Sequence, residues 1–230
     1  MHLWNDFVSL IYPRTCVCCD KLLSKQELHI CNHCFVNLPK SNFFNEAESE
    51  LDKIFHGRIP LEKAGSYLLF EKSGKVQKIL HSIKYESNKE LAYLLGVWYA
   101  NDLIKSEFYG QFDFIIPVPL HPLKHKQRGF NQSLEFSKGL KAVLQQEIIS
   151  DNLIRTEFTS TQTRKSKIER WENVKDKFEL LRPQELNGKT ILLVDDVITT
   201  GATLEACFQA LSKAVGIKMS VVSLAYAKKE

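Results

Sequence analysis

Two adjacent aspartates follow a run of four apolar residues, and these acids are the side chains best placed for chemistry. Ile191 to Val194 read as a buried strand, so we expect the carboxylates of Asp195 and Asp196 at its carboxyl end. Open α/β sheets bind ligands at that end of their strands. Paired carboxylates accept hydrogen bonds from hydroxyl groups. The sequence therefore predicts a crevice that binds a hydroxylated ligand.

The residues after the two acids form a loop rich in threonine and glycine. This loop offers consecutive backbone N–H groups and three hydroxyls, and its glycine can adopt a positive φ. Leu204, Cys207 and Leu211 then recur at helical spacing, so a helix N-terminus with its favourable dipole follows the loop. We expect phosphate binding by Thr199, Thr200, Gly201, Ala202 and Thr203. Beside two acids this favours a sugar phosphate, and an ordinary turn with solvated acids is the alternative.

A second loop suited to anions is predicted between two other elements. Phe112 to Pro119 read as a short strand that two prolines end, and the stretch 120–132 then carries three fixed cations and two histidines before a helix. Such a density of donors suits a pyrophosphate, and a solvated basic loop is the alternative. Lys84 lies at the end of another predicted helix, where a cation can simply complement the helix dipole.

Five of the six cysteines lie near the start of the chain. Cys16 with Cys19 and Cys31 with Cys34 form two Cys-x-x-Cys pairs, a spacing that lets four thiolates converge on one tetrahedral zinc. Free thiols and disulfides are the alternatives, and we expect no export signal, which makes zinc the favoured interpretation over disulfides. Three replacements stay open: Cys18 for Cys16, and His29 or His33 for a thiolate. Because protein would fill all four positions, we expect the zinc to be structural.

Composition bounds the class of protein. The chain has 230 residues, 44% of them apolar, which is enough for one core with a smaller attachment. The formal net charge of +4 is compatible with nucleic acid but does not require it. No run of eighteen apolar residues exists, so we expect no membrane span, and the first residues lack a secretory pattern. We therefore expect a cytoplasmic protein.

The chain divides into three predicted parts. A lead-in helix and the four-cysteine zinc finger occupy 1–40, an acidic linker or solvated helix occupies 41–60, and an α/β domain occupies 61–230. Within that domain, about 156–178 form a long polar tract that we interpret as a lid.

The motifs also carry a family resemblance. Val194 to Thr203 resembles the signature with which type I phosphoribosyltransferases bind phosphoribosyl pyrophosphate (PRPP). The wider set resembles the ComF family of competence-associated, phosphoribosyltransferase-like proteins. That set comprises the cysteine pairs, Ile83-Lys84-Tyr85, Pro117 to His121, Arg128 to Gln132, Thr159-x-x-Gln162, Arg170-x-x-Asn173 and 191–203. The extra thiol of Cys18 and the polar Thr163 to Lys165 depart from the family pattern.

This resemblance implies a type I phosphoribosyltransferase fold, with a central, mostly parallel sheet flanked by helices, fused to a small zinc finger. It implies displacement at the ribose C1 with Mg2+ and release of pyrophosphate. Asp195 and Asp196 would be catalytic, holding the ribose hydroxyls, and Thr199 to Thr203 would hold the 5-phosphate. The implied pyrophosphate residues are Leu120, His121, Arg128 and Lys84, and the implied lid residues are Gln162, Arg170 and Asn173.

The resemblance further implies a role in natural competence, which is DNA uptake for transformation. The protein would act on imported single-stranded DNA beside a competence DNA helicase. Two alternatives without turnover stay open. One is a PRPP-sensing protein that binds single-stranded DNA, and the other is a scaffold that docks the helicase through its zinc finger.

Overall fold

Helices and strands alternate along most of the chain, as the sequence predicts for an α/β domain. The computed structural model describes residues 13–43, 46, 48–106, 112–156 and 178–228. The predicted lead-in helix and the lid residues Gln162, Arg170 and Asn173 lie outside these ranges. Within them, no helix is both long and apolar enough to cross a membrane.

The elements are labelled in chain order. The helices are α1 (Asn32–Val36), α2 (Glu50–Phe55), α3 (Lys75–Tyr85), α4 (Lys89–Leu103), α5 (Pro122–Arg128), α6 (Gln132–Leu144) and α7 (Ala202–Leu211), with a 3-10 helix at Pro183–Leu186. The strands are β1 (Ala64–Leu69), β2 (Phe114–Pro117), β3 (Glu147–Ile148), β4 (Leu153–Arg155), β5 (Phe178–Leu180), β6 (Thr190–Ile198) and β7 (Lys218–Tyr226).

The central sheet is parallel, with strand order β1-β7-β6-β2-β3. Strands β4 and β5 form a separate antiparallel pair on either side of the predicted lid. Residues 39–41 run antiparallel along the outer edge of β1, where the backbone of Ser41 donates to Tyr67 and that of Leu69 donates to Pro39. The sheet therefore presents no open edge on that side at this point.

The two faces of the sheet are covered by different elements. Successive residues of β6 point to opposite faces, so Leu192 and Val194 join one apolar cluster with α3, α4 and α6, while Ile191 and Leu193 join another with α2, α7 and the β4–β5 pair. Both faces are buried, which explains the uninterrupted apolar run. The cysteine-rich segment packs into the first cluster.

Helices α4 and α6 approach each other very closely. A Cβ on Gly96 would lie 2.2 Å from the carbonyl oxygen of Phe136, and one on Gly139 would lie 2.0 Å from that of Tyr93. Only glycine permits this spacing. Because α6 begins at Gln132, the close contact also sets where the start of that helix lies.

The range predicted as a linker contains the short helix α2. Ser49 caps it through a capping box with Asp52, and its Leu51 and Phe55 are at most 1% exposed. This part of the range therefore packs against the α/β domain.

Candidate functional site

The two aspartates lie in β6 at the point where one neighbouring strand, β2, has ended and the other, β7, continues. Strand β2 pairs with β6 only as far as Pro117 opposite Val194, whereas β7 pairs with it as far as Tyr226 opposite Ile198. The strand thus runs beyond Val194, where the apolar run ends, because β7 still supplies partners. The acids consequently sit in a strand with one open edge, and that opening forms the crevice.

Asp195 is buried, and its surroundings oppose ionisation. The side chain is 7% exposed, and its Oδ1 accepts from the Ser133 hydroxyl at 3.3 Å and from the backbone N–H of Asp196 at 2.8 Å. Burial and the negative charge of Asp196 raise the pKa of Asp195 to about 7, even though these hydrogen bonds and the charge of Lys84 act to lower it. Asp195 therefore exchanges a proton near neutral pH.

Asp196 forms an ion pair with a lysine of helix α3. Its Oδ2 lies 2.8 Å from Nζ of Lys84, at the end of α3, and both side chains are 22% exposed. The ion pair links the end of β6 to α3, one of the helices that cover the sheet. Because the two charges compensate each other, Lys84 is available to an anionic ligand only if another group or cation takes over Asp196.

The stretch 199–203, which we call the phosphate loop, has the backbone of an anion site. Gly201 has φ 75°, and a Cβ there would lie 2.6 Å from the ring of Phe55, so both conformation and space require glycine. Within the described residues, no protein group accepts a hydrogen bond from the backbone N–H of Thr199, Thr200 or Gly201. The first turn of α7 adds further free N–H groups. These donors suit a phosphate.

The basic stretch after β2 is a helix rather than the loop expected from its charge. Pro122 occupies the first turn of α5, the side chain of His121 accepts from the backbone N–H of Leu123, and Gly129 ends the helix with φ 76°. These local signals outweigh the repulsion among the cations of the helix. His121 is thereby used as a helix cap, while Leu120 and Arg128 reach the crevice.

Arg128 is oriented by the turn that follows α5. Its guanidinium donates to Oε1 of Gln132 at 3.0 Å, and Asn131 bridges the turn by donating to the Val118 carbonyl at 3.0 Å and accepting from the Ser133 N–H. The turn therefore fixes Arg128, Ser133 and the end of β2 as one unit.

Part of these groups lines a cavity of about 170 Å3, whereas His121 and the loop residues 199–202 are not among its lining residues. The predicted residues that line it are Lys84, Leu120, Arg128, Asp195, Asp196 and Thr203. It is also lined by Lys124, which is one of the three fixed cations of the stretch 120–132, and by Arg155, which the sequence did not single out. Within the described residues, Lys124, Arg128 and Arg155 form no ion pair with a carboxylate, so the cavity attracts anions.

Arg155 enters the cavity from the face of the sheet opposite Lys84. It ends β4, which packs with β5 in the apolar cluster of α7, and its guanidinium lies 5.3 Å over the ring of Phe178. The sequence offered one usable signal, a cation at the start of the predicted lid. That signal was too weak without the fold, because nothing local relates Arg155 to residues 195 and 196.

The four predicted zinc ligands come together in the described structure. The sulfur atoms of Cys16, Cys19, Cys31 and Cys34 all lie within 4.8 Å of one another, and Sγ of Cys19 is 3.7 Å from that of Cys31. Thiolates at about 2.3 Å from a tetrahedral zinc would be about 3.8 Å apart. The replacements left open by the sequence are not part of this group. His29 instead contacts Asn88 and Glu90.

The electrostatics of the cluster also suit a cation. Burial raises the pKa of Cys16, but backbone N–H groups of Cys31, Cys18 and Cys19 overcome this and lower it to about 7. Burial and the neighbouring thiols raise the pKa of Cys34. Several thiolates cannot form together in such a small volume unless a metal compensates their charge. The four cysteines could therefore hold a zinc ion. They would fill all four coordination positions, so no position would be left for a substrate.

Comparisons with known proteins agree with this architecture. The family described as phosphoribosyl transferase domain matches residues 133–229. The DNA utilization protein YhgH of Escherichia coli K12 is 33% identical over 139 residues, which cover 58% of this chain and 59% of that protein. Competence protein F of Haemophilus influenzae is 37% identical over 100 residues, covering 43% and 44%. The chain thus matches less than two thirds of the length of these relatives.

Among solved structures, adenine phosphoribosyltransferase from Thermoanaerobacter pseudethanolicus aligns with a TM-score of 0.39 at 15% identity, covering 66% of this chain and 85% of that one. Glutamine PRPP amidotransferase from B. subtilis aligns with a TM-score of 0.39 at 20% identity, covering 56% and 25%. The domain match and the parallel sheet confirm the predicted type I phosphoribosyltransferase fold. The domain match and the named relatives agree with the resemblance of this chain to the ComF family of phosphoribosyltransferase-like proteins.

Proposed function

We propose that this chain binds PRPP, together with Mg2+, in the cavity between Asp195, Asp196 and the phosphate loop. One observation carries the proposal: within the described residues, two carboxylates, Thr203 of the phosphate loop and three cations without a carboxylate partner line the same small cavity. The backbone N–H groups of the residues just before Thr203 also have no acceptor in the described part of the protein. PRPP has matching groups, because hydroxyls lie between a 5-phosphate at one end and a pyrophosphate at the other.

Each end of the ligand finds its own partners in this arrangement. The phosphate loop would receive the 5-phosphate, while Arg128, Lys124 and Lys84 would receive the pyrophosphate. The two aspartates would accept hydrogen bonds from the ribose hydroxyls. Bound Mg2+ would supply charge neutralisation for the pyrophosphate and ribose oxygens.

Transfer of the phosphoribosyl group would follow from the same contacts. Negative charge at Asp195 and Asp196 stabilises the positive charge that develops on the ribose ring, and the cations stabilise the departing pyrophosphate. The protein thus contributes position and electrostatics. The experiment is to incubate the protein with PRPP, Mg2+ and candidate acceptors, including single-stranded DNA, and to measure pyrophosphate release.

A sensor without turnover is the second candidate. It is favoured by the set of titratable groups that line the cavity in the described part of the chain, which comprises two acids and the Lys and Arg cations. The ribose would occupy both acids, so neither is left to activate an incoming nucleophile. Measurable PRPP affinity without pyrophosphate release for any acceptor would support the sensor over the transferase.

We further propose a role in natural competence inside the cell, in which the protein handles imported single-stranded DNA beside a DNA helicase. The names of the relatives, DNA utilization protein and competence protein F, support the role in DNA handling. The helicase partner follows from the family resemblance, and the zinc finger is its proposed docking element.

A double variant separates PRPP binding from DNA binding. Asp195→Asn with Asp196→Asn removes the two charged carboxylates that would accept hydrogen bonds from the ribose hydroxyls. It leaves the cations that attract DNA phosphates. We expect PRPP binding to be lost in calorimetry while the affinity for a single-stranded oligonucleotide is retained. Equal loss of both affinities would contradict the two-ligand proposal, and absence of PRPP binding by the wild type would contradict the PRPP site.

A further inference from the structure

A charged side chain from outside the sheet holds the back of the phosphate loop. Nη1 of Arg58 donates to the Thr200 carbonyl at 2.7 Å and to the Ile54 carbonyl at 3.1 Å, while Nη2 contacts Oε2 of Glu205 at 2.6 Å. Arg58 thereby joins the last turn of α2, the phosphate loop and the first turn of α7. The planar guanidinium makes these contacts with a fixed relative geometry.

The contact to Thr200 constrains the adjacent donor. In a trans peptide, the C=O of one residue and the N–H of the next point in opposite directions. An arginine that holds the Thr200 carbonyl on one side of the loop therefore directs the N–H of Gly201 to the other side. Because no described residue accepts from that N–H, it remains available to a ligand.

Helix α2, which precedes Arg58, is itself held against the start of β1. Asp52 of α2 accepts from Nζ of Lys63 at 2.8 Å and from the backbone N–H of Ala64, at the start of β1, at 2.7 Å. Burial acts to raise the pKa of Asp52, but these hydrogen bonds and those from Ser49 lower it, so they favour the ionised carboxylate. The ring of Phe55 then packs against Gly201.

We propose that Arg58 is a positioning residue for the 5-phosphate, which it serves by fixing the phosphate loop rather than by touching the ligand. This inference rests on the proposed PRPP site. It assigns a role in ligand binding to α2 and Arg58, which lie in a range whose sequence is predicted as a linker or a solvated helix.

The test compares ligands that do and do not carry the 5-phosphate. Calorimetry in the presence of Mg2+ would measure PRPP, ribose 5-phosphate and inorganic pyrophosphate with the wild type and Arg58→Gln. We expect about a tenfold loss of affinity for PRPP and for ribose 5-phosphate in the variant, from the loss of charge-assisted hydrogen bonds. The affinity for pyrophosphate should stay within about twofold, because the contacts of Arg128 and Lys124 are unchanged.

Two further variants keep the inference falsifiable. Glu205→Gln weakens a partner of Arg58 but leaves the contact to Thr200, so ribose 5-phosphate affinity should be retained. Arg58→Lys keeps the positive charge and one donor nitrogen, so it should lose less affinity for ribose 5-phosphate than Arg58→Gln does. If Arg58→Gln does not fold, Arg58→Lys takes its place in the test.

The possible failures can be told apart. A wild type that binds neither PRPP nor ribose 5-phosphate would overturn the proposed function, and the role of Arg58 with it. If the wild type binds both ligands, unchanged affinities in the folded Arg58 variants would overturn the positioning role alone. Equal weakening of all three ligands would also overturn it, because a general loosening of the fold does not discriminate between the two ends of PRPP.

Discussion

Binding of PRPP with Mg2+ should release a proton from Asp195. In the free protein, burial and the charge of Asp196 raise the pKa of Asp195 to about 7. Donation by a ribose hydroxyl and a divalent cation nearby both stabilise the ionised carboxylate, so its pKa should be lower in the complex. The affinity for PRPP is then highest well above this pKa of about 7, where Asp195 is already ionised in the free protein. It falls as the pH decreases from about 7 toward the pKa of the complex.

The size of this effect follows from the pKa. For a group that titrates at about 7, the ionised fraction falls from about 0.9 at pH 8 to about 0.1 at pH 6, so the association constant should fall about tenfold, or about 1.4 kcal/mol. Calorimetry at pH 7 in two buffers with different ionisation enthalpies should show that about half a proton leaves for each PRPP bound.

Ser133→Ala provides the matched control. The Ser133 hydroxyl acts to lower the pKa of Asp195, so its removal should move the midpoint of the affinity profile to higher pH. The phosphates of PRPP also titrate, but they do so equally in both experiments. The reasoning is refuted if both proteins share one midpoint and carbon NMR detects no carboxyl group of Asp195 titrating near pH 7.

Three other predictions concern single positions. Gly201→Ala should weaken PRPP binding at least about tenfold, because the added methyl requires a strained φ and meets the ring of Phe55; calorimetry measures this, and an unchanged affinity would contradict the loop assignment. Purified protein should contain about one equivalent of zinc. Cys34→Ser should lower both the zinc content and the melting temperature, and full thermal stability without metal would argue against a structural site. Gly139→Ala should reduce the free energy of unfolding in urea by about 3 kcal/mol, because the backbone of α4 lies too close to move easily; a loss below about 1 kcal/mol would show that the two helices can separate.

The parts of the site that lie close together in sequence could be predicted from it. The strand, the two acids, Gly201 and the start of α7 follow one another directly, and local propensity and steric rules apply to each. The same holds for the zinc ligands, whose spacing within a short segment limits how they can meet. The resemblance then supplied the family, which the comparisons support.

Long-range contacts could not be predicted in this way. Arg58 reaches a residue 142 positions further along the chain, and nothing around it in sequence indicates which carbonyl it will bind. Arg155 enters the cavity only because β4 packs beside α7. The error at α5 differs in kind, because Pro122 and Gly129 were visible helix signals that the dense charge between them obscured.

The antiparallel segment at the edge of β1 links the integrity of the cysteine cluster to the tendency of the protein to self-associate. Residues 39–41 follow the cysteine cluster closely, and Lys40 is held in place by Asp102 at 2.8 Å. If the cluster opens, this segment keeps the ion pair of Lys40 but loses its support on the cysteine side. Its release from β1 would uncover backbone groups that can pair with a strand from another molecule. Oxidative damage to the thiols is therefore expected to appear first as self-association, before the α/β domain itself unfolds.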